Sequence, residues 1–263
     1  MRRISALTSL VAVALAVLIA GCGDSDDSKT PTGSSGSPQL TGTITVFAAA
    51  SLQESFTKLG AQFETAHPGS RVVFNFGPSS GLAEQIGQGA PADVFASASA
   101  KSMDQVVADG DAAKPTDFAK NKMQIVVPPD NPAGISTVAD LAKKGVKVAL
   151  CQAQVPCGST ALKVLDNAKV KVTPVTQEVD VKATLSKVKL GEVDAGVVYV
   201  TDVLAAGAAV KGIAIPDNVN ASTTYPIAAL TDSKNKGTAK AFADYVLSAE
   251  GLAALRAAGF AKP

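Results

Sequence analysis

Residues 43–55 read TITVFAAASLQES. The first five form a β-branched and aromatic run, the composition of a buried strand. From Leu52 onward the apolar residues Leu52, Phe56, Leu59 and Phe63 recur at helical spacing and give one apolar face. A strand therefore passes into a helix with Ser51 at the corner. That serine has two readings. With Glu54 three residues on it makes a capping box that merely starts the helix. Alternatively, its hydroxyl and the free N–H groups of the first turn wait for an anion.

The alternation continues along the chain. RVVFNF (71–76), ADVFASA (92–98), MQIVVP (123–128), VKVAL (146–150) and DAGVVYV (194–200) read as strands, and TTYPIAAL (223–230) is extended. GLAEQIGQG (81–89), KSMDQVVADG (101–110), STVADLAKKG (136–145), STALKVLDNA (159–168) and DVKATLSKVKLG (180–191) read as helices. So do GTAKAFADYVLS (237–248) and AEGLAALRAAG (249–259). Strands alternating with helices predict an α/β fold with mostly parallel sheets. Ligands on such sheets sit at the carboxyl ends of strands, beside helix N-termini.

Three more corners resemble the first. FGPSSGLAEQI carries Ser79 and Ser80, QVPCGSTALKVL carries Pro156, Cys157, Gly158 and Ser159, and EVDVKATL carries Asp180 as an expected N-cap before Val181. Arginine occurs only at positions 2, 3, 71 and 256, away from all four corners. An anion site there would depend on neutral donors: backbone N–H groups, hydroxyls and helix dipoles.

The 263 residues suffice for one large or two modest domains. With 24 Lys+Arg against 23 Asp+Glu, the net charge of +1 gives no pull toward nucleic acid or acidic membranes. The chain has no G-x-G-x-x-G and no Walker P-loop. The single histidine, His67, lies in a helix-end turn with no Ser/Asp partner for a catalytic triad. Asp93 and Asp194 border apolar runs and suit capping or inter-strand hydrogen bonds. Lys182, Lys187 and Lys189 read as a solvated helix face opposite Val181, Leu185 and Val188.

Residues 1–21 have a basic start, an apolar stretch and small residues before Cys22, the pattern of a secretory signal; an uncleaved membrane anchor is the other reading. Residues 22–40 are polar and Ser/Gly/Pro-rich, a flexible tether. In an exported protein Cys151 and Cys157 suit a disulfide. Free thiols are the alternative. A metal site is disfavoured, because no His or carboxylate ligand lies close in sequence.

ITVFAAASL, GPSSGLAEQI, GAPADVFASA, VPCG and GEVDAGVVYVTDV, in this order across residues 44–203, closely resemble the extracytoplasmic molybdate-binding proteins of ABC importers. LIAGC (18–22) resembles a lipobox, which implies cleavage before Cys22 and lipid on that cysteine. The resemblance implies a type 2 periplasmic-binding-protein clamshell. Each lobe would be a mostly parallel sheet flanked by helices, with two hinge crossings. Lobe one would be 41–124 plus 225–263 and lobe two 125–224. The resemblance further implies a non-enzymatic monomer without a cofactor, lipid-anchored to the outer face of the cytoplasmic membrane. It would deliver molybdate, and tungstate, to an ABC permease and its ATPase. Carried over by motif, the ligand contacts are Ser51 and Ser79 (hydroxyl and N–H), the N–H groups of Cys157 and Val181, and the Tyr199 hydroxyl. No residue would ligate the metal directly. Cys157 stands where the family has alanine, and its N–H alone is required. A binder of sulfate or thiosulfate is the alternative within the class; an extracytoplasmic hydrolase lacks a nucleophile–base pair.

Overall fold

The computed structural model describes residues 40–263. The expected signal peptide, Cys22 and all but the last residue of the expected tether lie outside the described residues. Among the described residues, nine strands and eight α-helices follow in chain order. Strand β1 (Gly42–Ala49) runs through a 3₁₀ turn (Ala50–Leu52) into α1 (Gln53–Ala66), then β2 (Ser70–Gly77), α2 (Ser79–Gly87), β3 (Val94–Ala96) and α3 (Ala100–Ala108). The long β4 (Thr116–Val127) leads to β5 (Val148–Cys151), α4 (Pro156–Asn167), β6 (Thr176–Glu178), α5 (Val181–Lys189), β7 (Ala195–Tyr199) and α6 (Val200–Ala206). The chain closes with β8 (Lys211–Ala214), β9 (Ser222–Ala229), α7 (Lys236–Leu247) and α8 (Ala249–Ala257).

The strands form one sheet in the order β2-β1-β3-β9-β4-β7-β5-β6, with β8 added on β4. Its two ends are parallel: β1 with β2 and β3, and β5 with β6 and β7. The middle is antiparallel, because β4 and β9 run against their neighbours and against each other. Strand β4 serves both ends. Up to Lys122 it pairs with β9; from Met123 it pairs with β7.

Apolar side chains gather accordingly. One cluster draws on residues 123–215, with Ala50 the single contribution from elsewhere. Two others draw on 44–119 and 225–260. The apolar face expected of α1 is real: Leu52, Phe56, Leu59 and Phe63 are fully buried. The rings of Phe56 and Phe63 meet Phe242 of α7 edge-on, with centroids 6.2 and 5.4 Å apart. Burying each such ring stabilises the fold by about 1.5–3 kcal/mol.

The structure departs from the sequence expectation in identifiable places. Residues 136–145 make only a 3₁₀ turn (Val138–Ala142) in place of a helix. Asp140 Oδ2 accepts the N–H groups of Ser136 and Thr137, both at 2.8 Å, which tightens the chain into a turn. Lys143 is already extended. Strand β4 begins seven residues earlier than its apolar run, because Asp117, Lys120, Asn121 and Lys122 interrupt the hydrophobic pattern while the backbone stays in the ladder. The elements β6, β8 and α6 span only three, four and seven residues, too short to show periodicity.

A cavity at five helix starts

Five strand-to-helix corners converge on one cavity. The residues just before the 3₁₀ turn, α2, α4, α5 and α6 are Ala49, Pro78, Val155, Asp180 and Tyr199, and all five line it. The first N–H groups of a helix have no partner within the helix. Ala49, Pro78 and Val155 have side chains that cannot supply one, and none makes a capping hydrogen bond. Asp180 alone caps, accepting the Ala183 N–H at 2.9 Å, as its position predicts. Several helix starts thus present unsatisfied donors and the positive ends of their dipoles to one small space.

Ser51, Ser79, Cys157, Val181 and Tyr199 all line this cavity, together with Asp180. Ser80 and Ser159 do not; Ser159 Oγ donates to Pro156 O at 3.1 Å within its own helix start. Ser51 is not a cap. It lies inside the 3₁₀ turn, and its Oγ is 2.9 Å from the Tyr225 hydroxyl. Glu54, the expected capping-box partner, instead receives Lys182 Nζ at 2.8 and 2.7 Å. Ser79 Oγ accepts the Ala98 N–H at 2.9 Å, which leaves its own proton available.

Tyr199 is 1% exposed, and its hydroxyl has no hydrogen-bond partner among the described residues. Burial pushes the phenol well above its ordinary pKa, with the neighbouring Tyr225 adding to the shift. It is therefore a protonated donor in the cavity wall without a hydrogen-bond partner of good geometry, although the Thr160 hydroxyl lies close enough to offset part of the upward shift. Leaving such a group unpaired costs about 1–3 kcal/mol, a cost that a bound acceptor removes.

The α4 corner is held by two devices. A disulfide joins Cys151 at the end of β5 to Cys157 in the first turn of α4, as an exported chain predicts. Cys151 Sγ also lies 3.3 Å from Thr184 Oγ1 of α5. At Gly158 a Cβ would stand 1.8 Å from the Gln152 carbonyl oxygen, so only glycine lets the 151–152 backbone press against the helix start.

The cavity is small, with a volume of about 20 Å³ against about 380 Å³ for the cleft beside Asp93. It suits an ion of a few atoms, not a sugar or a peptide. No Lys, Arg or His lines it. Lys182 lies one residue beyond Val181 but is not the solvated lysine that the helix pattern suggests. Its Nζ bridges Glu54 of α1 and the fully buried Asp202 of α6, at 2.7 and 3.0 Å. Those partners are remote in sequence, so helix periodicity could not reveal them. Lys187 pairs with Glu192 at 2.7 Å. The remaining singled-out groups do structural work. Asp93 accepts the Thr45 N–H at 2.7 Å and the Ser233 hydroxyl at 2.5 Å. Asp194 accepts the Lys147 N–H at 2.7 Å, and the His67 ring lies tilted against Phe63, with centroids 4.6 Å apart.

Residues 44–261 match the family described as bacterial extracellular solute-binding protein. Over 264 aligned residues the chain is 41% identical to the molybdate-binding protein ModA of Mycobacterium tuberculosis, with 100% of both chains covered. Among solved structures it matches the periplasmic molybdate-binding protein of Azotobacter vinelandii at TM-score 0.75 and 22% identity, covering 84% of this chain and 99% of that one. It also matches the sulfate-binding protein SubI of Mycobacterium tuberculosis at TM-score 0.71 and 18% identity, covering 84% and 86%. At such identities the two structures speak for the fold, an α/β binding-protein architecture.

Proposed function

The chain belongs to the bacterial extracellular solute-binding proteins, and on that footing we propose that it captures molybdate for an ABC importer. The observation that carries this reading is the cavity itself. Buried donors from four helix starts and, from the fifth, the Tyr199 hydroxyl converge where no cationic side chain lies. A dianion needs donors, and the donors here are of neutral type; the Asp180 carboxylate that also lines the cavity is engaged by the Ala183 N–H of its own helix. Hydrogen bonds to a charged group contribute about 1.5–3 kcal/mol each, so a handful reaches sub-micromolar affinity. The full-length relative named for molybdate supports the choice of oxyanion.

Ser51 and Ser79 supply hydroxyls and N–H groups, Cys157 and Val181 supply N–H groups, and Tyr199 supplies its phenol O–H. No residue ligates the metal; the protein meets only oxygens. Tungstate, with the same charge and shape, is expected to bind as well. Residues 41–124 with 225–263 act as one lobe and 125–224 as the other, closing over the ion so that its contacts from both sides favour the closed state. The protein works as a monomer outside the cytoplasmic membrane, held there by lipid on Cys22. The closed form delivers the ion to a membrane permease coupled to an ATPase.

Sulfate is the competing ligand, because a sulfate-binding protein shares the fold. Selection against it is geometric: donors set for longer metal–oxygen bonds make poorer hydrogen bonds to the smaller ion. Phosphate keeps a proton near neutral pH, which donors alone leave without an acceptor, at a cost of about 1–3 kcal/mol. Calorimetric titration of residues 41–263 with molybdate, tungstate, sulfate and phosphate tests all of this. Tight one-to-one binding of the first two, with much weaker sulfate and phosphate, is expected. Tight sulfate binding would reassign the substrate, and no binding at all would reduce the five corners to ordinary helix starts.

A further inference from the structure

Ser51 does not stand alone behind the cavity. Its Oγ is 2.9 Å from the hydroxyl of Tyr225 on β9. Asn121 Nδ2, on β4, reaches the same Tyr225 hydroxyl at 3.5 Å and Thr201 Oγ1 at 2.8 Å. Tyr225 is fully buried; Asn121 is 3% and Thr201 4% exposed. Tyr225 and Asn121 are shut away from bulk solvent, so the direction of each proton in the chain is set largely by its neighbours. An amide N–H is a donor only. Where Asn121 donates to the Tyr225 oxygen, the phenol's own proton turns to Ser51 Oγ. Ser51 then receives a hydrogen bond from behind, and its own proton is left for the cavity. Reversal of the chain would send the Ser51 proton to Tyr225 and turn a lone pair toward an incoming anion.

We infer that Tyr225, oriented by Asn121, is a positioning residue for oxyanion binding: it fixes the Ser51 hydroxyl as a donor to the ligand without touching the ligand itself. Tyr225 is absent from the cavity lining whereas Ser51 belongs to it. The inference rests on the oxyanion reading above and adds to it a residue that no corner motif contains. The relay also joins β4 and β9, the two strands that connect the apolar clusters, so the donor at Ser51 is set by the same strands that join the two halves of the site.

The test is a double-mutant cycle read by calorimetric titration with molybdate. Tyr225→Phe removes one oxygen and is expected to weaken binding roughly tenfold, the scale of one hydrogen bond. Ser51→Ala keeps its backbone N–H and so retains measurable binding. In that background Tyr225→Phe is expected to have no further effect, because the hydroxyl it orients is gone. Asn121→Ala, which leaves the phenol but removes its donor, is expected to weaken binding in the same sense and likewise to lose its effect beside Ser51→Ala. A merely structural role for Tyr225 predicts equal losses in both backgrounds, and that result would overturn the inference. So would unchanged affinity in Tyr225→Phe. Should the unmodified protein bind none of the four oxyanions, the oxyanion reading itself fails; should it bind molybdate while the cycle shows no coupling, only the positioning role fails. Apo melting temperatures, measured beside each titration, separate loss of fold from loss of affinity.

Discussion

At the scale of single residues, two of the hydroxyl residues that line the cavity, Tyr199 and Ser79, have different standing in the protein, and their variants should behave differently. The Tyr199 hydroxyl has no partner to lose. Tyr199→Phe is therefore expected to leave the apo melting temperature unchanged or raise it, while molybdate affinity falls by about 1.5–3 kcal/mol, the worth of a hydrogen bond to a charged group. Thermal melts and titrations of the same sample check both halves. Ser79 differs because its oxygen already accepts the Ala98 N–H. Ser79→Ala should weaken binding by roughly 1–3 kcal/mol and should also lower apo stability, since a buried N–H loses its acceptor. The serine motif alone suggests a loss of affinity only; the second cost comes from Ala98, nineteen residues away, which no local pattern announces.

At the scale of elements, the β5–α4 corner is where sequence chemistry and site geometry are most directly coupled. Reducing the Cys151–Cys157 bond opens a short loop and is expected to destabilise the protein by about 2 kcal/mol on the chain-entropy account. It should also loosen the start of α4 and weaken molybdate binding, which denaturant titrations and calorimetry with and without reductant would read. Most elements of this kind were legible in the sequence. Strand runs and helix faces follow from hydrophobic period; the corner motifs contain Ser51, Ser79, Cys157 and Val181, and the family resemblance alone supplies Tyr199. What stayed hidden has a common physical cause. Tyr225, Asn121 and Thr201 act through contacts between segments 80 and 104 residues apart. The polar half of β4 looks like loop because its ladder is made by backbone groups that any side chain permits. Lys182 looks solvated because its partners sit on other helices.

At the scale of the whole molecule, the buried Asp202 gives stability a particular pH dependence. Burial, the largest influence, raises its pKa to about 6 from the ordinary 3.8, outweighing the attraction of Lys182 and the Tyr199 N–H. The native carboxyl thus holds a proton that the unfolded chain has already released. Its favourable contribution is complete below about pH 4 and is lost as pH rises through about 6. Melting temperatures measured across this range should fall with rising pH by an amount that Asp202→Asn abolishes; equal slopes in both proteins would count against the assignment. The closure proposed above would turn on another global feature, the way the chain passes between the two halves: one passage lies within β4 itself, and residues 215–221 lead from β8 into β9. Lys122 pairs with Ser222 of β9, and the very next residue, Met123, pairs with Tyr199 of β7. The chain changes partners within one peptide unit, and β9 begins directly beside that point. Two crossings held side by side, about 4.8 Å apart as neighbouring strands are, act as paired pins that define an axis. Sliding would break both ladders, whereas rotation strains only a few torsions. Under the closure proposed above, movement would be guided mainly about that one axis, so each closing would return the five helix starts to the same arrangement, and selectivity by bond length would be as sharp as that hinge is stiff.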